Sequence, residues 1–165
     1  MRNIICINVL LIVASPLFAA PPEGCFARTY SDAHLAKNPN QVVRSISMSF
    51  GDFAGDTVPW VDVEAEIADQ GHARGTGQGG NTYGQIARCS DQGNSKTGWT
   101  CSVECDGGTL RIDRLDAASL LVSLDYFIMN TGDDCGGVVD LAEEPGQFVS
   151  YKLVRQPDAA CAGRW

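Results

Sequence analysis

Two imidazoles, His34 and His72, are the side chains whose ordinary pKa suits proton transfer near neutrality. His34 stands two residues after Asp32, so an acid-base pair or a pair of metal ligands is the first chemistry to weigh. The spacing speaks for less. An imidazole beside a carboxylate on a short helix is ordinarily a surface or capping group, and His72 lies in a glycine-rich stretch that reads as solvated loop. No Gly-x-Ser-x-Gly elbow, His-Glu-x-x-His or Walker sequence accompanies them. Gly75, Gly77 and Gly80 spell a GxGxxG pattern, but no helix-length pattern follows it and no parallel crossover surrounds it, so it reads as a hairpin loop.

The acidic residues make a second constellation. Asp62, Glu64 and Glu66 alternate along one predicted strand, about 7 Å apart on one face. Such a stripe could meet a basic partner, and it equally makes a solvated face that discourages edge-to-edge aggregation. Asp133 and Asp134 lack the regular spacing and terminal Glu of a calcium loop, so no metal and no cofactor is expected. Among the aromatics, Trp60, Trp99, Trp165, Phe50, Phe53, Tyr126, Phe127 and Tyr151 are expected to fill a core rather than line a cavity, and a filled core with Trp60 or Trp165 exposed would favour contact with a protein partner. The ligand or partner candidates are thus Trp60, Asp62, Glu64, Glu66, His34 and His72, and no residue is assigned a catalytic role.

These residues must be positioned by strands. From Val42 onward, apolar residues recur at every second position in short runs separated by Gly, Asp, Asn and Pro. Val42, Ile46, Met48 and Phe50 form one face that Arg44 interrupts, and Val61, Val63, Ala65 and Ile67 form a cleaner one. Further strands are expected at 82–89, 99–105, 109–114, 119–128, 138–141 and 147–154. In the sixth, Leu120, Val122, Leu124, Tyr126 and Ile128 share a face, with a helix as the alternative. A short helix is expected at 31–37, capped by Ser31 and stopped by Asn38 and Pro39. The fold class is all-β: a single antiparallel barrel of about eight strands, lipocalin-like, or a two-sheet sandwich.

Compartment follows from the amino terminus and the cysteines. Arg2, a largely apolar run at 4–18 and small residues Ala19 and Ala20 have the order of a secretory signal, with cleavage expected after Ala19 and one domain over 20–165. No membrane span is expected in the mature chain. Of seven cysteines, Cys6 falls in the removed segment, and Cys25, Cys89, Cys101, Cys105, Cys135 and Cys161 form an even set suited to three disulfides. A turn centred on Gly93, Asn94 and Ser95 sets Cys89 opposite Cys101, at a spacing a disulfide spans. Cys105 with Cys135 and Cys25 with Cys161 are then the expected remaining pairs. The balance of 12 Lys and Arg against 20 Asp and Glu, a net charge of −8, disfavours nucleic acid as a partner.

In architecture this plan resembles the lipocalin-like barrels and the small periplasmic inhibitor barrels of bacteria. It lacks the Gly-x-Trp of the former and the Gly-x-Lys-Tyr or Gly-x-Arg-Tyr ending of the latter, so the resemblance carries over no site residue. The expected function is a secreted or periplasmic, non-enzymatic binding protein whose partner is a protein or a small ligand. The alternatives are an envelope enzyme using His34 or His72 with nearby carboxylates, and a structural envelope module without a pocket.

Overall fold

The computed structural model describes residues 21–52, 58–92, 97–130, 136–144 and 146–161. The expected signal segment, Phe53, the Gly93-Asn94-Ser95 turn, Asp133, Asp134, Cys135 and Trp165 lie outside them. Nine strands and one short α-helix follow in the order β1 (Gly24–Thr29), α1 (Asp32–Lys37), β2 (Val43–Asp52), β3 (Pro59–Ile67), β4 (Thr82–Asp91), β5 (Trp99–Ser102), β6 (Gly108–Leu115), β7 (Ser119–Met129), β8 (Val139–Asp140) and β9 (Val149–Gln156). Each of β1 to β7 pairs antiparallel with the next, β7 pairs with β9, and β9 returns to β1. Eight strands therefore close a barrel, and β8 is an extra two-residue strand on β7. Closure leaves no free edge where pairing is complete.

The two-residue period of each strand puts its apolar set inside. Ile46, Met48 and Phe50 of β2 meet Val61, Val63, Ala65 and Ile67 of β3, Leu110 and Ile112 of β6, and Tyr151 and Leu153 of β9 in one core. The barrel is filled: Phe26, Phe127 and Tyr151 are at most 1% exposed. Burying each such side chain contributes roughly 1.5–3 kcal/mol. The expectation that aromatics fill the interior thus holds for Phe50, Phe127 and Tyr151, whereas Tyr126 is 45% exposed.

Two of the three register shifts among the described ladders explain where the simple alternation fails. At the start of β2 the pairs Val43↔Ile67 and Ser45↔Glu66 leave Arg44 as an extra residue. The bulge takes Arg44 off the apolar face it interrupts in sequence, and its guanidinium bonds Asp32 Oδ1 at 2.7 Å and lies 3.6 Å from Glu66 Oε1. Between β6 and β7, Leu110 faces Leu124 but Gly108 faces Phe127, which inserts one residue into β7. Beyond Leu124 the inward positions become Phe127 and Met129, so Tyr126 and Ile128 do not continue the stripe as expected. Gly108 has φ +99°, and a Cβ there would strike the Tyr126 carbonyl, so this crossing needs glycine.

Other corrections are local. β1 was not foreseen, since its sequence shows no clean alternation. β5 ends at Ser102 rather than running to Cys105, which sits in a turn with φ 59°. The helix matches its expectation: Ser31 Oγ accepts the His34 amide at 3.2 Å, and Asn38 forms the other cap. Disulfides join Cys89 to Cys101 and Cys25 to Cys161, both as expected. Cys105 is also disulfide-bonded, and its expected partner Cys135 is among the residues not described.

Candidate functional site

The ladder between β1 and β9 stops short of the strand ends. Three facing pairs, Cys25↔Gln156, Phe26↔Arg155 and Ala27↔Val154, hold β1 to β9, yet β1 continues to Thr29 and β9 begins at Val149. A cavity of about 270 Å³ occupies the stretch where the two strands part, lined by Arg28, Tyr30, His34, Asn38, Gln41, Glu143, Ser150, Tyr151 and Lys152. Four segments supply it: the end of β1, helix α1 with its exit, the 141–144 turn and the start of β9.

Backbone direction follows from the ladders. The Arg155 amide bonds Ala118 O on the β7 side, so by alternation Ser150 and Lys152 turn their N–H and C=O groups toward β1. Likewise the Tyr30 amide bonds Arg44 O on the β2 side, which turns the backbone of Thr29 toward β9. Both strands therefore present main-chain polar groups to the slot. By the same period, Arg28 and Tyr30 continue the face of β1 that Phe26 buries in the core.

His34 is fixed by its neighbours. Gln41, 5% exposed, donates through Nε2 to Val43 O at 2.8 Å, which directs its Oε1 to His34 Nε2 at 3.0 Å. A carbonyl oxygen only accepts, so His34 Nε2 carries the proton. The imidazole also stacks on Tyr30 with ring centroids 4.8 Å apart, and the Arg28 guanidinium lies 5.4 Å from the same ring. Tyr151 donates its hydroxyl to Leu141 O at 2.7 Å.

Burial raises the pKa of Tyr30, partly opposed by the charge of Arg28, and raises that of Tyr151 further. Both phenols are consequently neutral donors. Burial is also the main cause that raises Glu143, with the charge of Glu144 adding to it and His34 opposing. Against this one carboxylate stand Arg28 and Lys152, neither of which forms a salt bridge among the described residues. A net −8 chain thus carries a cavity with more positive than negative side chains.

The remaining sequence candidates lie apart from the cavity lining. His72 is exposed and donates Nε2–H to Ala142 O at 2.9 Å. Trp60 is half-buried, and the acidic stripe divides: Asp62 is 7% exposed, Glu64 is exposed and Glu66 faces Arg44. Of the six candidates, His34 alone lines the slot. Sequence reading missed Arg28, Tyr30, Gln41, Glu143, Ser150, Tyr151 and Lys152 as a group, because the strand that carries Arg28 and leads into Tyr30 went unrecognised. Among the described residues, no group of three or more His, Cys, Asp and Glu side chains could hold a metal ion. No described helix is long and apolar enough to cross a membrane. No protein-family model, curated protein or solved structure matches the chain.

Proposed function

We propose that this chain is a secreted or periplasmic, non-enzymatic binding protein that takes its ligand in the slot between β1 and β9. The observation that carries the reading is the contrast between a filled barrel interior and a polar, cationic cavity where the β1–β9 ladder stops short of the strand ends. A lipocalin-like use of the lumen finds no support in so full a core, and the ligand site shifts to the wall. Disulfides Cys25–Cys161 and Cys89–Cys101 support an oxidising compartment. The experiment is capture from envelope extract on immobilised mature protein, beside an Arg28→Ala/Lys152→Ala variant. A ligand or partner retained by the first and lost by the second supports the reading; equal retention by both contradicts it.

A second reading is an envelope enzyme that uses His34 as a base. It is favoured by the presence of His34 and Glu143 in one cavity, where the imidazole opposes the rise in the Glu143 pKa. Against it, the proton-bearing Nε2 of His34 bonds Gln41 rather than a carboxylate, and His72 is held by a backbone carbonyl.

A further inference from the structure

We infer that the slot recognises the carboxyl terminus of an extended peptide, an inference that rests on the binding-protein reading above. Three independent features converge on this chemistry. First, Ser150 and Lys152 are two apart on β9 and turn their backbones into the slot, and this is the spacing at which an extended segment exchanges hydrogen bonds with a strand. Second, Arg28 and Lys152 flank the same space without a salt-bridged carboxylate among the described residues, which suits a terminal carboxylate. Third, about 270 Å³ lies just under the roughly 300–1,000 Å³ of sites for drug-sized ligands, so it admits about two residues and not a long segment.

The groups divide the work. Main-chain donors and acceptors of β9 register the peptide and the two cations read its end, while the Tyr30 ring, covered by the Arg28 guanidinium and stacked on His34, holds Arg28 in place. Glu143 opposes the ligand charge and so limits affinity, which makes it a discriminating position for substitution. Disulfide Cys25–Cys161 joins β1 to the segment just after β9, at the paired end of the seam, and so fixes the point from which the strands diverge.

The probe is N-acetyl-trialanine with a free carboxylate, titrated into the mature protein and followed by amide chemical shifts, beside the same peptide as its terminal amide and beside acetate. The acid is expected to shift Thr29, Ser150 and Lys152, the amide to bind at least tenfold more weakly, and acetate to bind more weakly than the peptide acid. Arg28→Ala/Lys152→Ala should lower affinity at least tenfold, Glu143→Gln should raise it, and Arg88→Ala on β4 should leave it unchanged. Equal binding of acid and amide overturns the inference. So does acetate matching the peptide, although the slot then remains a binding site. If none of the three probes shifts a slot residue, the inference fails, and the slot reading fails separately only if the extract experiment also shows no dependence on Arg28 and Lys152.

Discussion

Ala27 and Val154 are the last facing pair between β1 and β9, and every feature assigned to function lies on the far side of that pair. Up to this point the strands are held by a ladder and by Cys25–Cys161; beyond it, helix α1 with its exit and the 141–144 turn line the gap with side chains. The barrel's core supplies rigidity, and the seam supplies a surface on which polar backbone remains to be used.

Replacing Gly108 by alanine should cost about 2–4 kcal/mol, since it adds the strain of φ +99° in a residue with a Cβ to a clash with the Tyr126 carbonyl. Urea unfolding measures it. A loss under 0.5 kcal/mol would show that the β6–β7 crossing does not depend on this bulge.

Cys89 and Cys101 face each other across β4 and β5 with Cα atoms 3.9 Å apart. Their separation of 12 residues corresponds to about 3 kcal/mol in the chain-entropy account, and the 136 residues between Cys25 and Cys161 to about 5 kcal/mol. Paired alanine variants should therefore lose stability in that order when unfolded in denaturant, and the reverse order would contradict the assignment.

Asp116 organises the turn into β7: its Oδ1 accepts the amides of Ala118 at 2.9 Å and Ser119 at 2.7 Å, and its Oδ2 accepts the Ser119 hydroxyl at 2.9 Å. These bonds, the Ala118 amide first, lower its pKa. A carboxyl with a lower pKa folded than unfolded stabilises above its unfolded value of about 3.9 and loses that contribution as pH falls through the lowered folded value. Asp116→Asn should therefore show a flatter stability profile than the parent across pH 2 to 4. Identical profiles would remove the turn from the account.

Glu143 titrates in the opposite sense. Its raised pKa means that the folded chain holds the proton more tightly, so its contribution to stability is present below the unfolded value and falls as pH rises through the folded one. Glu143→Gln should lessen the loss of stability from acid to neutral pH, measured by thermal melting across pH 4 to 8. A steeper loss in the variant would mean that the carboxylate is stabilising where it sits.

Much of the wall was legible because alternation is a direct image of a half-buried strand: Val61, Val63, Ala65 and Ile67 read as they fold. The Cys89–Cys101 pair was legible because the turn formers Gly93, Asn94 and Ser95 stand midway between the two cysteines in sequence. Arg44 and the Tyr126–Ile128 segment were misread for one reason, since a bulge shifts the period by a residue and leaves no compositional mark. The slot was hidden for another. Arg28 from β1, Glu143 from a turn and Lys152 from β9 meet only because a non-local ladder stops early, and the point at which pairing stops is set by tertiary packing.

The most direct test of the account is amide hydrogen exchange at the seam, in the free protein and with N-acetyl-trialanine acid present. Ser150 and Lys152 should exchange about 100-fold faster than Val154 and Arg155 in the free protein, because their amides face the slot whereas Val154 faces Ala27 and the Arg155 amide bonds Ala118 O, and should gain protection on adding the peptide. Protection at Ser150 and Lys152 equal to that of Val154 in the free protein, unchanged by the peptide, would mean that the barrel is closed along its whole seam and would contradict the slot as a binding site.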